Sequence, residues 1–129
     1  DVHGKIVFFN RPMDPRSISA GAAYGGAVNQ RTRGAAEAAK HGAVGVLVRS
    51  MTHALDDLPH TGTMTYLPDV PRIPAAAIST VAAERLSRTL RESPGTEVTM
   101  TLHCAPQEDR RSHNVIGEIR GAVFPEKVI

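Results

Sequence analysis

Four side chains of the kinds that bind metal ions lie close together in the sequence: His53, Asp56, Asp57 and His60. Imidazole nitrogens and carboxylate oxygens are both zinc ligands. On a helix, His53, Asp57 and His60 would share one face. Pro59 would interrupt that helix, however, and the surrounding composition indicates a loop. The sequence therefore favours a solvated polar loop over a metal site.

Two pairs of adjacent residues could supply a nucleophile and a base, His103 with Cys104 and Ser112 with His113. Adjacent side chains on a strand point to opposite faces, so neither pair can bring its groups together. The sequence also contains no His-x-Asp pair and no His-Glu-x-x-His motif. It therefore predicts no catalytic residue.

Two stretches of loop composition could contact a ligand or a partner. Tyr24, Gly25 and Gly26 could approach a phosphate, but they lack the spacing of a phosphate-binding loop, so a tight turn is favoured. The second stretch is PHTGTMTY at 59–66, which lies in a long loop of the kind that often carries binding. Its candidate contact residues are His60, Thr61, Gly62, Met64 and Tyr66. Docking to a partner and folding back over the sheet both remain open for this stretch.

Strands and helices alternate in the elements that must position these loops. Continuous apolar runs predict buried strands at 5–9 and 43–48, and a short strand is predicted at 73–78. An Ala-rich face predicts a helix over 31–41, with Gly42 as its C′ residue. A second helix is predicted from Ser79 or Thr80 to about residue 92. Because a helix separates the first two strands, they are predicted to run parallel.

Proline and glycine mark the intervening segments 10–30 and 50–72 as long loops. Beyond the second helix, residues 97–103 alternate between apolar and polar, which predicts a half-exposed strand. A further strand is predicted at 114–119. The expected architecture is therefore a mixed α/β domain with a small sheet, part parallel and part antiparallel, and two main helices.

The end of the sequence reads as a turn at 121–125 followed by the opening of another strand at 126–129. An unpartnered strand edge is an aggregation liability that proteins avoid. These residues are therefore predicted to lead into a neighbouring domain.

Composition limits the possible functions. The 129 residues suit one domain, with 41% hydrophobic and 22% charged residues. The net charge is +2 and no Lys/Arg run exceeds two residues, so a nucleic-acid partner is not expected. No apolar run approaches the roughly 20 residues that span a bilayer. Cys104 is the single cysteine, which excludes an internal disulfide.

The order of motifs GKIVFFN, YGG, GAAEAAKHGAVGVLV, PHTGTMTY, IPAAAIS and SHNVIGEIRG covers nearly the whole chain. It resembles a protease-associated (PA) domain. More narrowly, PHTGTMTY together with NVIGEIRG is similar to the PA domain of zinc-dependent exopeptidases of the plasma glutamate carboxypeptidase and aminopeptidase group.

The resemblance implies a swivelling β/β/α fold with a curved, nearly barrel-like sheet flanked by helices. It implies a non-catalytic PA domain at 1–121, and at 122–129 the connection into a catalytic peptidase domain that would carry the zinc. It also implies an extracellular, periplasmic or cell-envelope location. The expected partners are the peptidase domain of the same chain, a peptide substrate or a second subunit.

The sequence leaves two other functions to compare with this one. A stand-alone module that recognises peptides or proteins is the alternative, and a parent gene without a metal-binding domain would favour it. An independent small hydrolase is the third, and the lack of a catalytic constellation argues against it.

Overall fold

A computed structural model of the protein describes residues 1–105, 107–125 and 127. Its strands and helices follow in the order β1 (Ile6–Phe9), α1 (Ala20–Ala27), α2 (Asn29–Thr32), α3 (Gly34–Lys40), β2 (Gly45–Arg49), β3 (Ala75–Ile78) and α4 (Thr80–Glu92). The three strands form one open sheet in the order β1-β2-β3, and both strand pairs are parallel. The predicted parallel pairing of the first two strands is therefore confirmed.

Helix α3 packs against the sheet through alanines, as its sequence predicts. Ala35, Ala38 and Ala39 are buried in one cluster with Val46 and Val48 of β2. Small side chains on the helix let its backbone approach the sheet closely, so β2 is buried along its whole length.

Gly42 makes the turn from α3 into β2. Its φ of +77° lies in the left-handed region that favours glycine. A Cβ at this position would also lie 2.5 Å from the ring of His3, so the turn has no room for a side chain. The predicted role of Gly42 is confirmed.

Helix α4 begins where predicted, after β3. The Ser79 side chain accepts a hydrogen bond from the Ala82 N–H, which identifies Ser79 as the N-cap. Both Ser79 and Thr80 are almost fully buried. This burial places two hydroxyl groups beside the carboxyl end of β2, where the loop 50–72 leaves the sheet.

The prediction of a continuous loop over 10–30 is wrong, because this segment contains α1 and the first half of α2. Three glycines lower the helix propensity of α1. The Ser19 cap and the burial of Ala23 and Ala27 outweigh that cost. The helix predicted over 31–41 is also divided, since α2 ends at Thr32 and α3 starts at Gly34.

The predicted strands at 97–103 and 114–119 are absent from the described residues, which contain an open parallel sheet and not the expected mixed, barrel-like one. The alternation of apolar and polar residues indicates which side chains would share a buried face. It does not show that another strand has a free edge with which this segment could pair. Val115 and Ile119 are almost fully exposed. Most of the predicted strand at 126–129 lies outside the described residues.

None of the helices in the described part of the chain has the length and apolar character that crossing a bilayer requires.

Candidate interaction site

The loop 50–72 starts at the carboxyl end of β2 and, within its first eleven residues, contacts the amino end of α4. Ligands of open parallel sheets bind beside the carboxyl ends of the strands. The whole segment lacks regular secondary structure, as predicted. Its backbone must therefore find hydrogen-bond partners outside any helix or ladder of its own.

Thr80 holds the first part of this loop. Its hydroxyl accepts a hydrogen bond from the Asp56 N–H at 2.9 Å and lies within donating distance of the carbonyls of Ala54 (3.0 Å) and Asp56 (3.1 Å). The Asp56 carbonyl also accepts from the Val81 N–H at 3.1 Å. The backbone of the loop 50–72 is therefore hydrogen-bonded to the amino end of α4.

The neighbouring Asp57 binds the cap residue of the same helix. The Ser79 hydroxyl donates to the Asp57 carboxylate at 2.6 Å while it accepts from the Ala82 N–H. A carboxylate at this position is favourable because the amino end of a helix carries partial positive charge.

Ser50 holds the other side of the loop. Its buried hydroxyl donates to the Ile78 carbonyl at 2.8 Å and accepts from the His60 N–H at 2.7 Å. The carboxyl end of β2 is thereby joined to β3 and to the start of the PHTGTMTY stretch. The segment 54–60 is thus fixed along its length by three hydroxyl groups.

Arg31 brings two of the predicted contact residues together. Its guanidinium donates to the Tyr24 hydroxyl and lies 5.7 Å from the centre of the Tyr24 ring. The same guanidinium packs on Gly62, where a Cβ would lie 2.5 Å from the Arg31 Cζ. Glycine at this position therefore allows the loop 50–72 to approach α2.

The second half of PHTGTMTY covers the core. Met64 and Tyr66 are half-buried and pack against the cluster between α3 and the sheet. The Tyr66 hydroxyl donates to the Ile73 carbonyl at 2.6 Å, and Arg72 lies over the Tyr66 ring. For these two side chains, folding back over the sheet is the arrangement observed.

The remaining predicted contact residues differ in position. Gly25 lies in α1 with open space around it, and Thr61 is exposed. His60 is half-buried and is held through its backbone by Ser50. Contact between any of these residues and a substrate or another domain stays a prediction.

Both carboxylates of the group that suggested a metal site make hydrogen bonds that hold the loop. Asp57 accepts from Ser79, and the Asp56 carboxylate accepts from the Leu58 N–H at 3.0 Å. Within residues 1–105, 107–125 and 127, no group of three or more His, Cys, Asp or Glu side chains could hold a metal ion.

One carboxylate in the segment 10–30 has a strongly shifted pKa. The Arg16 guanidinium and backbone N–H donate to the Asp14 carboxylate, which lowers the pKa of Asp14 from its ordinary 3.8 to about 2. Asp14 therefore stays ionised well below the pH at which most carboxylates protonate.

Sequence reasoning missed several residues that shape the site. Ser79 and Thr80 were recognised as capping residues, but nothing in their spacing indicated that they also hold a loop more than twenty residues away. Arg31 was placed in a helix without a partner. An ion pair of 2.5 Å joins the buried Arg49 of β2 to Glu84 of α4, and nothing in the sequence indicated that these two residues meet.

Comparison with known proteins finds relatives over the entire chain. The chain is 38% identical to carboxypeptidase Q of Xenopus laevis and 36% identical to carboxypeptidase Q of Homo sapiens, in each case over all 129 residues. It spans 26% of the length of each of these relatives. No protein-family model matches the chain.

A solved structure is also similar. The crystal structure of a peptidase M28 precursor from Shewanella amazonensis SB2B is 37% identical in sequence and has a TM-score of 0.66. The similarity covers 70% of this chain and 20% of that one. The resemblance to this group of peptidases is thereby confirmed: the chain is a homologue, over its full length, of one region of carboxypeptidase Q.

Proposed function

We propose that this chain is a non-catalytic, protease-associated domain of a zinc exopeptidase, and that its loops shape access to the active site or contact other parts of the enzyme. The observation that carries the proposal is the match of the whole chain to about a quarter of carboxypeptidase Q. A region of this size within a longer peptidase is one domain's worth of chain.

The way the polar residues of the site are used supports the non-catalytic role. A catalytic acid or base must be free to exchange a proton with substrate. Here the Asp57 carboxylate accepts from Ser79, and the Ser50 hydroxyl is bound on both sides by backbone groups. These side chains fix the shape of the loop 50–72, and a loop of fixed shape is suited to contact another protein surface.

The zinc implied for the parent enzyme does not fit the described residues of this chain. A zinc site needs three or four converging nitrogen, sulfur or carboxylate ligands, and no such group is found there. We therefore derive no metal-dependent step from this region and propose that the zinc ligands lie elsewhere in the parent protein. An extracellular, periplasmic or cell-envelope location is part of the same proposal.

The test compares the protein encoded by the full gene with the 129-residue chain alone. Both are assayed for hydrolysis of dipeptides, with and without added zinc. We expect metal-dependent hydrolysis by the full protein and none by the 129 residues. Hydrolysis by the isolated chain at a comparable molar rate would contradict the proposal, and an inactive parent whose 129 residues bind peptides would favour the recognition module.

A further inference from the structure

Leu55 and Leu58 are exposed on a segment of loop that is otherwise firmly held. Their exposed fractions are 69% and 66%. Three residues of extended chain span at most about 11 Å, so the backbone positions of the two leucines are close enough for one partner to reach both. Neither residue was among the predicted contact residues.

The backbone around the two leucines is ordered by the scaffold. The N–H of Asp56, between them, bonds to Thr80, and the Leu58 N–H bonds to the Asp56 carboxylate. On the carboxyl side, the His60 N–H bonds to Ser50. The loop is therefore prearranged, and a partner would not need to order it on binding.

Two fixed, exposed leucines have the properties of an interface centre. Interfaces place apolar side chains at the centre and polar groups at the rim. Asp57 and His53, both exposed, supply polar groups on the same stretch of loop. Removing both leucines from water would favour association.

We propose that Leu55 and Leu58 form the apolar centre of a contact surface for the peptidase region of the same polypeptide. This inference rests on the proposed function. The length of the relatives indicates this partner. The relatives that match this whole chain are nearly four times as long, and most of their sequence lies outside the matched region. The same partner also follows from position, because the segment stands beside the carboxyl ends of the strands, where open parallel sheets meet their ligands.

The experiment uses the protein encoded by the full gene. A photo-cross-linking residue, p-benzoyl-phenylalanine, replaces Leu58 in one sample and Val44 in the control. Val44 is also exposed, at 52%, but it precedes β2 at the opposite end of the sheet. After irradiation, cross-linked peptides are mapped by mass spectrometry, and peptidase activity is measured on the unmodified protein.

We expect the probe at Leu58 to join residues outside 1–129 of the same polypeptide, with a yield at least about tenfold above that of the Val44 probe. Adding Leu55→Ser should lower this yield several-fold. Cross-links only to a second copy, only to a bound peptide, or at equal yield from both probes would overturn the contact.

The two proposals fail in different ways. An active peptidase without the expected cross-link overturns the contact surface alone. A parent protein without peptidase activity overturns the proposed function, and the peptidase contact with it.

Discussion

The segments 10–30 and 50–72 have similar loop-like compositions but fold by different means. The first forms α1 and the first half of α2, and its helical residues bond to backbone groups close by in the sequence. The second has no regular element and is held by Ser79 and Thr80 of the scaffold and by its own first residue, Ser50. Both segments meet at Arg31, between Tyr24 and Gly62.

This difference shows where each segment is sensitive to change. A helix draws its stability from many similar backbone bonds, so loss of one contact is a small part of the whole. A loop held by three buried hydroxyl groups depends on each of them, because removal of one leaves buried backbone groups unpaired. The second segment should therefore respond strongly to single substitutions outside itself.

The largest effect is expected for Thr80→Val, which keeps the shape of the side chain and removes its hydroxyl. The Asp56 N–H and the Ala54 carbonyl would lose their partner. We expect the free energy of unfolding to fall by about 2–3 kcal/mol. Hydrogen exchange at the Asp56 amide should accelerate by at least about tenfold.

Thr32→Val in α2 is the matched control for that substitution. The Thr32 hydroxyl makes one long bond, 3.4 Å, to a Val28 carbonyl that two backbone N–H groups already satisfy. Its loss should change the free energy of unfolding by less than about 0.5 kcal/mol. Equal destabilisation by the two substitutions would contradict the contrast between the helices and the loop 50–72.

A pair of glycine substitutions should change stability in opposite directions. Gly26 lies in α1 with open space around it, so Gly26→Ala should raise the free energy of unfolding by about 0.4–1 kcal/mol. Gly62→Ala must displace the Arg31 guanidinium, the far end of a flexible side chain, and should lower the free energy of unfolding by up to about 0.5 kcal/mol. Denaturant unfolding measures both, and a change of the same sign would count against the observed packing.

The smallest effect concerns pH. Because folding lowers the pKa of Asp14 to about 2, the contact with Arg16 contributes stability above the ordinary pKa of 3.8 and loses it as pH falls towards 2. Titration followed by nuclear magnetic resonance should give a pKa of about 2 for the Asp14 carboxyl. Arg16→Gln should return it towards 3.8, and an unchanged value would show that another group holds it.

Local patterns predicted the central layer of the molecule well. Apolar runs located all three strands of the sheet, and the Ala face of α3 indicated which side packs on it. Gly42 and Ser79 were recognised because helix termini require particular residue types close by in sequence. These features depend on neighbours within a few positions.

The features that sequence reasoning missed depend on distant neighbours. Helix α1 forms because Ala23 and Ala27 are buried beside Met13 and Met51, which outweighs its glycines. The exposed Leu55 and Leu58 could not be distinguished from core leucines, since a loop without periodicity gives no indication of which side chains face inward. The strands predicted beyond residue 96 are absent from the described residues for a related reason. A strand forms beside another strand with a free edge, and the alternation of apolar and polar residues does not show where such an edge lies.

The free border of β1 has a consequence for self-association. This edge strand is only four residues long, Ile6–Phe9. Just past it, the Gln30 amide accepts from the Arg11 N–H at 3.1 Å and donates to the Arg11 carbonyl at 2.7 Å, so the Arg11 backbone is already paired. Fibril-forming segments are six or seven residues long, so this short border is a poor template for amyloid growth.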